Sequence, residues 1–349
     1  MMKRMSINGR EISTDHPPYV IAELSANHNG SLERAKQLIL AAQQAGADAV
    51  KLQSYRADTI TLNARTEDFM IRGGLWDGQN LYELYQQAQL PWEWHQPLFD
   101  YARQLGITIF SSPFDSTAVD LLEQLNAPAY KVASFEAVDL PLIRYIAATG
   151  KPMIISTGMA TEAEIEEAIT AAREGGCQQL AILHCISGYP APASDYNLRT
   201  MADMQQRFKV QVGLSDHTID NVTAITSVAM GATIIEKHFT LDRAGGGADD
   251  SFSLEPADLA ALCRDVKTSW QALGQVSYAR QSSEQGNAKF RRSLYFVEDL
   301  AAGTVLAPQH IRSVRPGFGL APKYLEQLLG KTLRKAAVKN TPTSWEHFT

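Results

Sequence analysis

Side chains able to do chemistry recur between Glu23 and His238, each group following a short apolar run. Glu23 precedes Asn27-His28-Asn29, Lys51 precedes Gln53, Ser111 precedes Ser112, and Lys131 precedes Ser134 and Glu136. Farther along come Ser156-Thr157-Gly158, His184 with Tyr189, Ser215-Asp216-His217 and Glu236-Lys237-His238. Lys51 and Lys131 can supply charge to a phosphate and a carboxylate, while Ser134, Ser156 and Ser215 supply directional donors. Phosphoenolpyruvate carries both anionic groups and suits that set. Taken singly, the serines read equally as helix caps, and either lysine could pair structurally with Glu23 or Glu136. His217 and His238 end successive apolar runs, where two imidazoles could share one divalent cation with water and substrate oxygens. Two histidines do not make a closed zinc site. A mixed nitrogen and oxygen shell suits Mn²⁺, with Mg²⁺ or Co²⁺ also possible. Alone, such a pair is more often a hydrogen-bonded core pair; the surrounding polar set turns the reading toward a metal.

The elements that would position these groups repeat as a short apolar run, a polar tip and a helical stretch. Strands are predicted at Tyr19–Leu24, Ala49–Gln53, Ile107–Ser111, Ala129–Ala133, Pro152–Ser156, Leu180–His184, Val210–Leu214 and Thr233–Phe239. Eight strands alternating with helices fit a closed α/β barrel, the (β/α)₈ TIM barrel, whose chemistry lies at the carboxyl ends of the strands. Helical segments such as Leu32–Ala45 and Ala224–Met230 stop at Gly46 and Gly231. The long Tyr55–Pro91 connection, with Gly73, Gly74, Trp76, Gly78 and then Leu81–Tyr85, reads as a loop-plus-helix insertion over the barrel mouth.

Size and charge narrow the partners. With 349 residues, 45% of them hydrophobic, the chain can bury one large core and still leave a small second domain. Residues 1–273 are expected to form the barrel, 274–290 a linker and 291–349 a separate domain, about 60 residues long. The net charge of −6, from 32 basic and 38 acidic residues, leaves no footprint for nucleic acid or an anionic membrane. No run reaches the roughly 18 apolar residues of a membrane span, and Met1–Arg10 lacks a targeting pattern, so a cytoplasmic protein is expected. Cys177, Cys185 and Cys263 lack metal or disulfide spacing and read as reduced core residues.

Read in order, the tips resemble the sialic acid synthase family: Ile21-Ala22-Glu23-Leu24-Ser25-Ala26-Asn27-His28-Asn29-Gly30, Lys51-Leu52-Gln53, Tyr130-Lys131-Val132-Ala133-Ser134-Phe135-Glu136, Ser156-Thr157-Gly158-Met159, Gly213-Leu214-Ser215-Asp216-His217 and Glu236-Lys237-His238-Phe239. Ala302-Gly303-Thr304, Ile311–Gly317 and Leu328-Leu329-Gly330-Lys331 resemble that family's C-terminal antifreeze-like (SAF) domain. The resemblance implies metal-dependent condensation of phosphoenolpyruvate with an open-chain aminosugar, releasing phosphate. It makes His217 and His238 the metal ligands and assigns phosphoenolpyruvate to Lys51, Ser112, Lys131, Ser134, Ser156 and Ser215. Glu23 becomes the acidic group near the reacting carbons, a general base toward water. Gln53, Glu136, Tyr189 and Asp249 fall at sugar-contacting positions. Arg315 matches an arginine that reaches the partner subunit's site in a domain-swapped homodimer.

Two departures bear on the sugar. Phe135 replaces the glycine common between the serine and glutamate of the fourth tip, and Ser187 stands where an asparagine is usual. The Lys131–Glu136 stretch, the Gly78–Tyr85 insertion with Pro91–His95, and Asp249–Pro256 resemble a branch whose substrate is a 2,4-diacetamido-2,4,6-trideoxy hexose. Phe135 would pack on a 6-deoxy methyl and leave a sugar hydroxyl without a partner.

Overall fold

The protein is represented by a computed structural model that describes residues 4–349; the first three residues of the Met1–Arg10 segment lie outside the described residues. The chain divides into two units, Met1–Gly274 and Gln275–Thr349. In the first, β1 (Met5–Ile7) and β2 (Arg10–Ile12) form an antiparallel hairpin. Eight parallel strands follow: β3 (Tyr19–Glu23), β4 (Ala49–Ser54), β5 (Thr108–Pro113), β6 (Tyr130–Val132), β7 (Met153–Ser156), β8 (Leu180–Cys185), β9 (Gln211–Asp216) and β10 (Ile234–His238). β10 returns to pair with β3, so the sheet closes into the expected barrel.

Strand alternation decides what the barrel holds. Tyr19, Ile21, Ala49, Phe110, Ala129, Ile154, Ala181, Leu183 and Ile234 form one buried apolar cluster with Met5, Ile7 and Ile12 of the hairpin. Their strand neighbours, among them Val20, Ala22, Val50, Ile155, Val212 and Ile235, pack in the larger core shared with the helices. Two residues beyond the inward apolar positions the same face turns polar, at Glu23, Lys51, Ser112, Lys131, Ser156 and Glu236. The interior is therefore apolar and plugged by the hairpin at its amino end, and polar at its carboxyl end. Gly213 permits this packing, because a Cβ there would lie 2.4 Å from the Ile234 carbonyl oxygen and 2.7 Å from Leu183 Cδ2.

The helices keep the predicted punctuation. Leu32–Ala45 starts at Ser31, whose side chain accepts from the Arg34 N–H, and ends at Gly46 with φ 89°. The last barrel helix spans Pro256–Leu273. Among the described residues no helix is long and apolar enough to cross a membrane. The cysteines form no disulfide; Cys177 and Cys185 are buried and Cys263 partly so.

The insertion returns to the barrel through a buried polar chain that sequence periodicity does not reveal. His95 Nδ1 donates to the Trp92 carbonyl at 3.1 Å, its Nε2 accepts from Ser54 at 2.7 Å, and Ser54 meets Ser111 at 2.6 Å. All three side chains are fully buried. Burial pushes His95 down to about 4, whatever its backbone partners restore. The unfolded chain therefore binds a proton near pH 6.5 that the folded one refuses until about pH 4, so stability from this group is present above pH 6.5 and is lost as pH falls toward 4. Urea titrations should show the stability gap between wild type and His95→Leu shrinking by about 2 kcal/mol from pH 7 to pH 5. A gap that does not change with pH would mean that His95 titrates alike folded and unfolded.

In the second unit, β11 (Ser293–Phe296) pairs antiparallel with β12 (Ile311–Val314) over a core of Leu294, Phe296, Leu306, Leu328, Leu333 and Phe348. Ser282–Phe290, which sequence reads as aperiodic linker, forms largely exposed 3₁₀ turns. Arg315 follows β12 in this unit.

Candidate active site

Register decides which strand-end residues meet. The β3–β4 pairing sets Glu23 beside Lys51, and the β9–β10 pairing sets Ser215 beside Glu236. Lys51 Nζ lies 2.7 Å from Glu23 and 3.5 Å from Glu236, and it donates to Ser112 Oγ at 3.2 Å. Lys131 Nζ reaches the same Glu236 oxygen at 3.4 Å, as does Ser215 Oγ. Gln53 Nε2 donates to Glu23 at 2.9 Å. Two lysines and two glutamates thus share one buried pocket with no net charge between them.

Burial decides how that charge titrates. Burial pushes the Glu23 carboxyl up, aided by Glu236, although Lys51 opposes the shift. Burial likewise pulls the Lys131 ammonium down, with Glu236 holding it up only in part. For Lys51 burial works against the charge, yet Glu23 and Glu236 outweigh it and the ammonium is held up. A carboxyl that retains its proton more readily than usual is suited to exchanging one near neutral pH.

Hydroxyls line the same end of the barrel. Ser156 Oγ is buried with no partner, and so is Ser187 Oγ. Ser134 Oγ accepts from the Gly158 N–H at 3.2 Å. A Cβ at Gly158 would fall 2.3 Å from Ser187 Oγ and 2.8 Å from Ser134 Oγ, so the glycine keeps that space open. Buried polar atoms without partners in a concave site are what an absent ligand would satisfy.

The histidines present matched nitrogens. Their ring centroids lie 5.4 Å apart. His217 Nδ1 is 2.7 Å from the Ile186 carbonyl, which can only accept, so Nδ1 carries a proton and in the neutral ring Nε2 carries the lone pair. His238 Nδ1 is 3.2 Å from Ser25 Oγ, and Ser25 also hydrogen-bonds Asp249. With Ser25 donating to that carboxylate, His238 Nδ1 donates to Ser25 and its Nε2 is likewise free. These residues fit an open cation site with two nitrogen ligands. Among the described residues no three His, Cys, Asp or Glu side chains gather as a metal cluster. Lys237 lies on the opposite strand face, with Nζ 2.8 Å from Asp216, 2.7 Å from the Thr218 carbonyl and 2.8 Å from that of Asp220. It braces β9 against β10 behind the histidines.

Most of the sugar positions expected from sequence surround the same mouth. The Tyr189 ring lies 4.3 Å from His217 and 5.9 Å from His238. Asp249 is 4.0 Å from His238, and burial pushes its carboxyl up. Glu136 is pushed up to about 7 by burial, and one of its oxygens is buried without a partner. Phe135 is 58% exposed on the turn Ser134–Val138, so it contributes nothing to the barrel core. Arg315 belongs to the other unit.

Sequence reasoning missed two groups. Glu236 stood at the eighth tip without a role, although its place two residues before His238 on one strand face was the available signal. Ser25 carried no such signal, since its contacts join chain segments remote in sequence.

A closed parallel barrel whose carboxyl end gathers two lysines, two glutamates, free hydroxyls and a histidine pair is built as an enzyme barrel. The chain belongs to the NeuB family, which it matches over residues 38–278, and its residues 291–349 match the SAF domain. It is 44% identical to the pseudaminic acid synthase of Campylobacter jejuni subsp. jejuni serotype O:23/36 (strain 81-176), over 93% of this chain and 94% of that one. It is 43% identical to the pseudaminic acid synthase of Helicobacter pylori (strain ATCC 700392 / 26695), covering 94% of this chain and 97% of the relative. Among solved structures, the N-acetylneuraminic acid synthetase of Leptospira borgpetersenii serovar Hardjo-bovis superposes with a TM-score of 0.72 at 29% identity, covering 82% of this chain and 95% of that one.

Proposed function

We propose that the chain is a pseudaminic acid synthase, a transferase that condenses phosphoenolpyruvate with 2,4-diacetamido-2,4,6-trideoxy-L-altrose and releases phosphate. The reading rests on the buried lysine and hydroxyl face beside a histidine pair, in a chain 44% identical to a synthase of that name. Lys51, Lys131, Ser112, Ser134, Ser156 and Ser215 hold the phosphate and carboxylate. His217 and His238 would hold a divalent cation, Mn²⁺ or else Mg²⁺ or Co²⁺, which would supply Lewis acidity toward the sugar's aldehyde. The C2–C3 π pair of phosphoenolpyruvate forms the new bond to the aldehyde carbon, whose oxygen takes up a proton. Water then adds at C2 as Glu23 accepts one of its protons, which balances the proton given to the aldehyde oxygen; the C2 hydroxyl of the adduct loses the other to the departing phosphate as the C2–O bond to phosphate breaks and the C2 keto group forms. Gln53 keeps the Glu23 carboxylate oriented, at 2.9 Å. Tyr189, Glu136, Asp249 and Phe135 line the sugar side.

The dimer belongs to this proposal: the SAF domain of one copy would serve its neighbour's mouth through Arg315, as a two-fold assembly in the cytoplasm. Phosphate release should be measured against a panel comprising the trideoxy-L-altrose, the legionaminic acid precursor and N-acetylmannosamine. The first should be used fastest. Exhaustive chelation should abolish release, and Mn²⁺, Co²⁺ or Mg²⁺ should restore it. Preference for N-acetylmannosamine or for the legionaminic precursor would reassign the chain to an N-acetylneuraminate or legionaminic acid synthase. Undiminished turnover after chelation would remove the metal.

A further inference from the structure

The insertion between β4 and β5 places one aromatic side chain where no strand could. Its segment Met70–Asn80 folds back on itself, with Ile71 N–H donating to Gln79 at 2.9 Å and Gly78 N–H to Ile71 at 2.9 Å. Gly73, Gly74 and Gly78 take φ of 79°, 74° and 81°, which lets the tip turn sharply enough to present Trp76. The indole Nε1 donates to the Ala248 carbonyl at 3.3 Å, and its ring lies 6.0 Å from that of Tyr189. Those contacts bracket the histidines. Ala248 immediately precedes Asp249, which lies 4.0 Å from His238, and Tyr189 lies 4.3 Å from His217.

Packing for stability alone does not account for the arrangement. Trp76 is only half-buried, and the charged contacts of the arm, Arg72 to Glu67 and Arg65 to Glu83, are internal to the insertion. A cleft of about 270 Å³ separates the insertion's helix Leu81–Ala88 from the Gly245–Ala248 loop. Beside that cleft the indole bridges the insertion to the loop at Ala248. A partly buried indole held by its one N–H is a rigid apolar wall beside polar groups, the combination that reads methyl and acetamido faces of a sugar.

We propose that Trp76 is a specificity-determining residue, its indole forming the wall against which the acetamido or 6-deoxy methyl groups of the acceptor sugar pack. The inference rests on the function proposed above. Trp76→Ala and Trp76→Phe should be compared with the wild-type enzyme, measuring phosphate release with the trideoxy-L-altrose and with N-acetylmannosamine. A wild type that does not use the trideoxy sugar ends the functional reading and takes this inference with it. With an active wild type, Trp76→Ala should raise the KM for the trideoxy sugar by about 10- to 100-fold and narrow its preference over N-acetylmannosamine, with the KM for phosphoenolpyruvate unchanged. Trp76→Phe, which keeps a ring without the N–H, should recover most of the preference. An unaltered sugar KM and preference overturn the inference alone. So does a loss shared equally by phosphoenolpyruvate and both sugars, which marks Trp76 as a support of the mouth.

Discussion

His238→Ala is expected to lower turnover by roughly 10³-fold or more, the equivalent of losing about 4 kcal/mol of transition-state stabilisation. Mn²⁺ titrated by calorimetry should bind far more weakly to the variant, while near-ultraviolet circular dichroism keeps its native form. His238 is the one imidazole on β10, and Glu236 on that face is held through a single oxygen by Lys51, Lys131 and Ser215. Mixing the variant with Arg315→Ala should then return part of the activity as subunits exchange, since one of the two heterodimer sites has both groups intact. Exchange seen by mass spectrometry without recovered activity would rule out the swapped assembly, and unaltered Mn²⁺ affinity would rule out His238 as a ligand.

Lys131→Met should raise the KM for phosphoenolpyruvate by roughly 10²-fold, about 3 kcal/mol for a charge-assisted contact, and leave the sugar KM nearly untouched. Methionine keeps most of the side chain's bulk inside a full barrel and removes its charge. Lys51 remains 3.5 Å from Glu236, so the carboxylate is not stranded without a cation. If the two Michaelis constants rise together, Lys131 holds the barrel's shape and not the phosphate.

The barrel was legible because each strand announces itself twice, by a short apolar run and by the polar residue that ends it. Two inward residues of different chemistry, such as Ile21 then Glu23 or Ala49 then Lys51, also fix which face carries the site. The hairpin β1–β2 escaped notice at three residues per strand, although Asn8-Gly9 between Met5–Ile7 and Arg10–Ile12 is a strong turn signal. Which polar residues end the strands was legible, and how they pair was not. That Glu236 serves two lysines follows from the lateral register of β10, and that Ser25 holds His238 follows from barrel closure; a single sequence prints neither. His95 was quoted only as part of a resembling segment, since a buried histidine and two serines have no period to betray them.

The pairing of β10 with β3 has a consequence for biosynthesis. His238 and Glu23 are register partners, yet they come from the last and first staves of the barrel. A nascent chain therefore carries no functional centre until the final stave has left the ribosome and the ring has shut. Fragments ending before Ile234 would expose the unpaired edge of β3 and be chemically silent. Catalysis in this protein thus doubles as a reporter of completed folding, and a refolding time course followed by product formation would register ring closure itself.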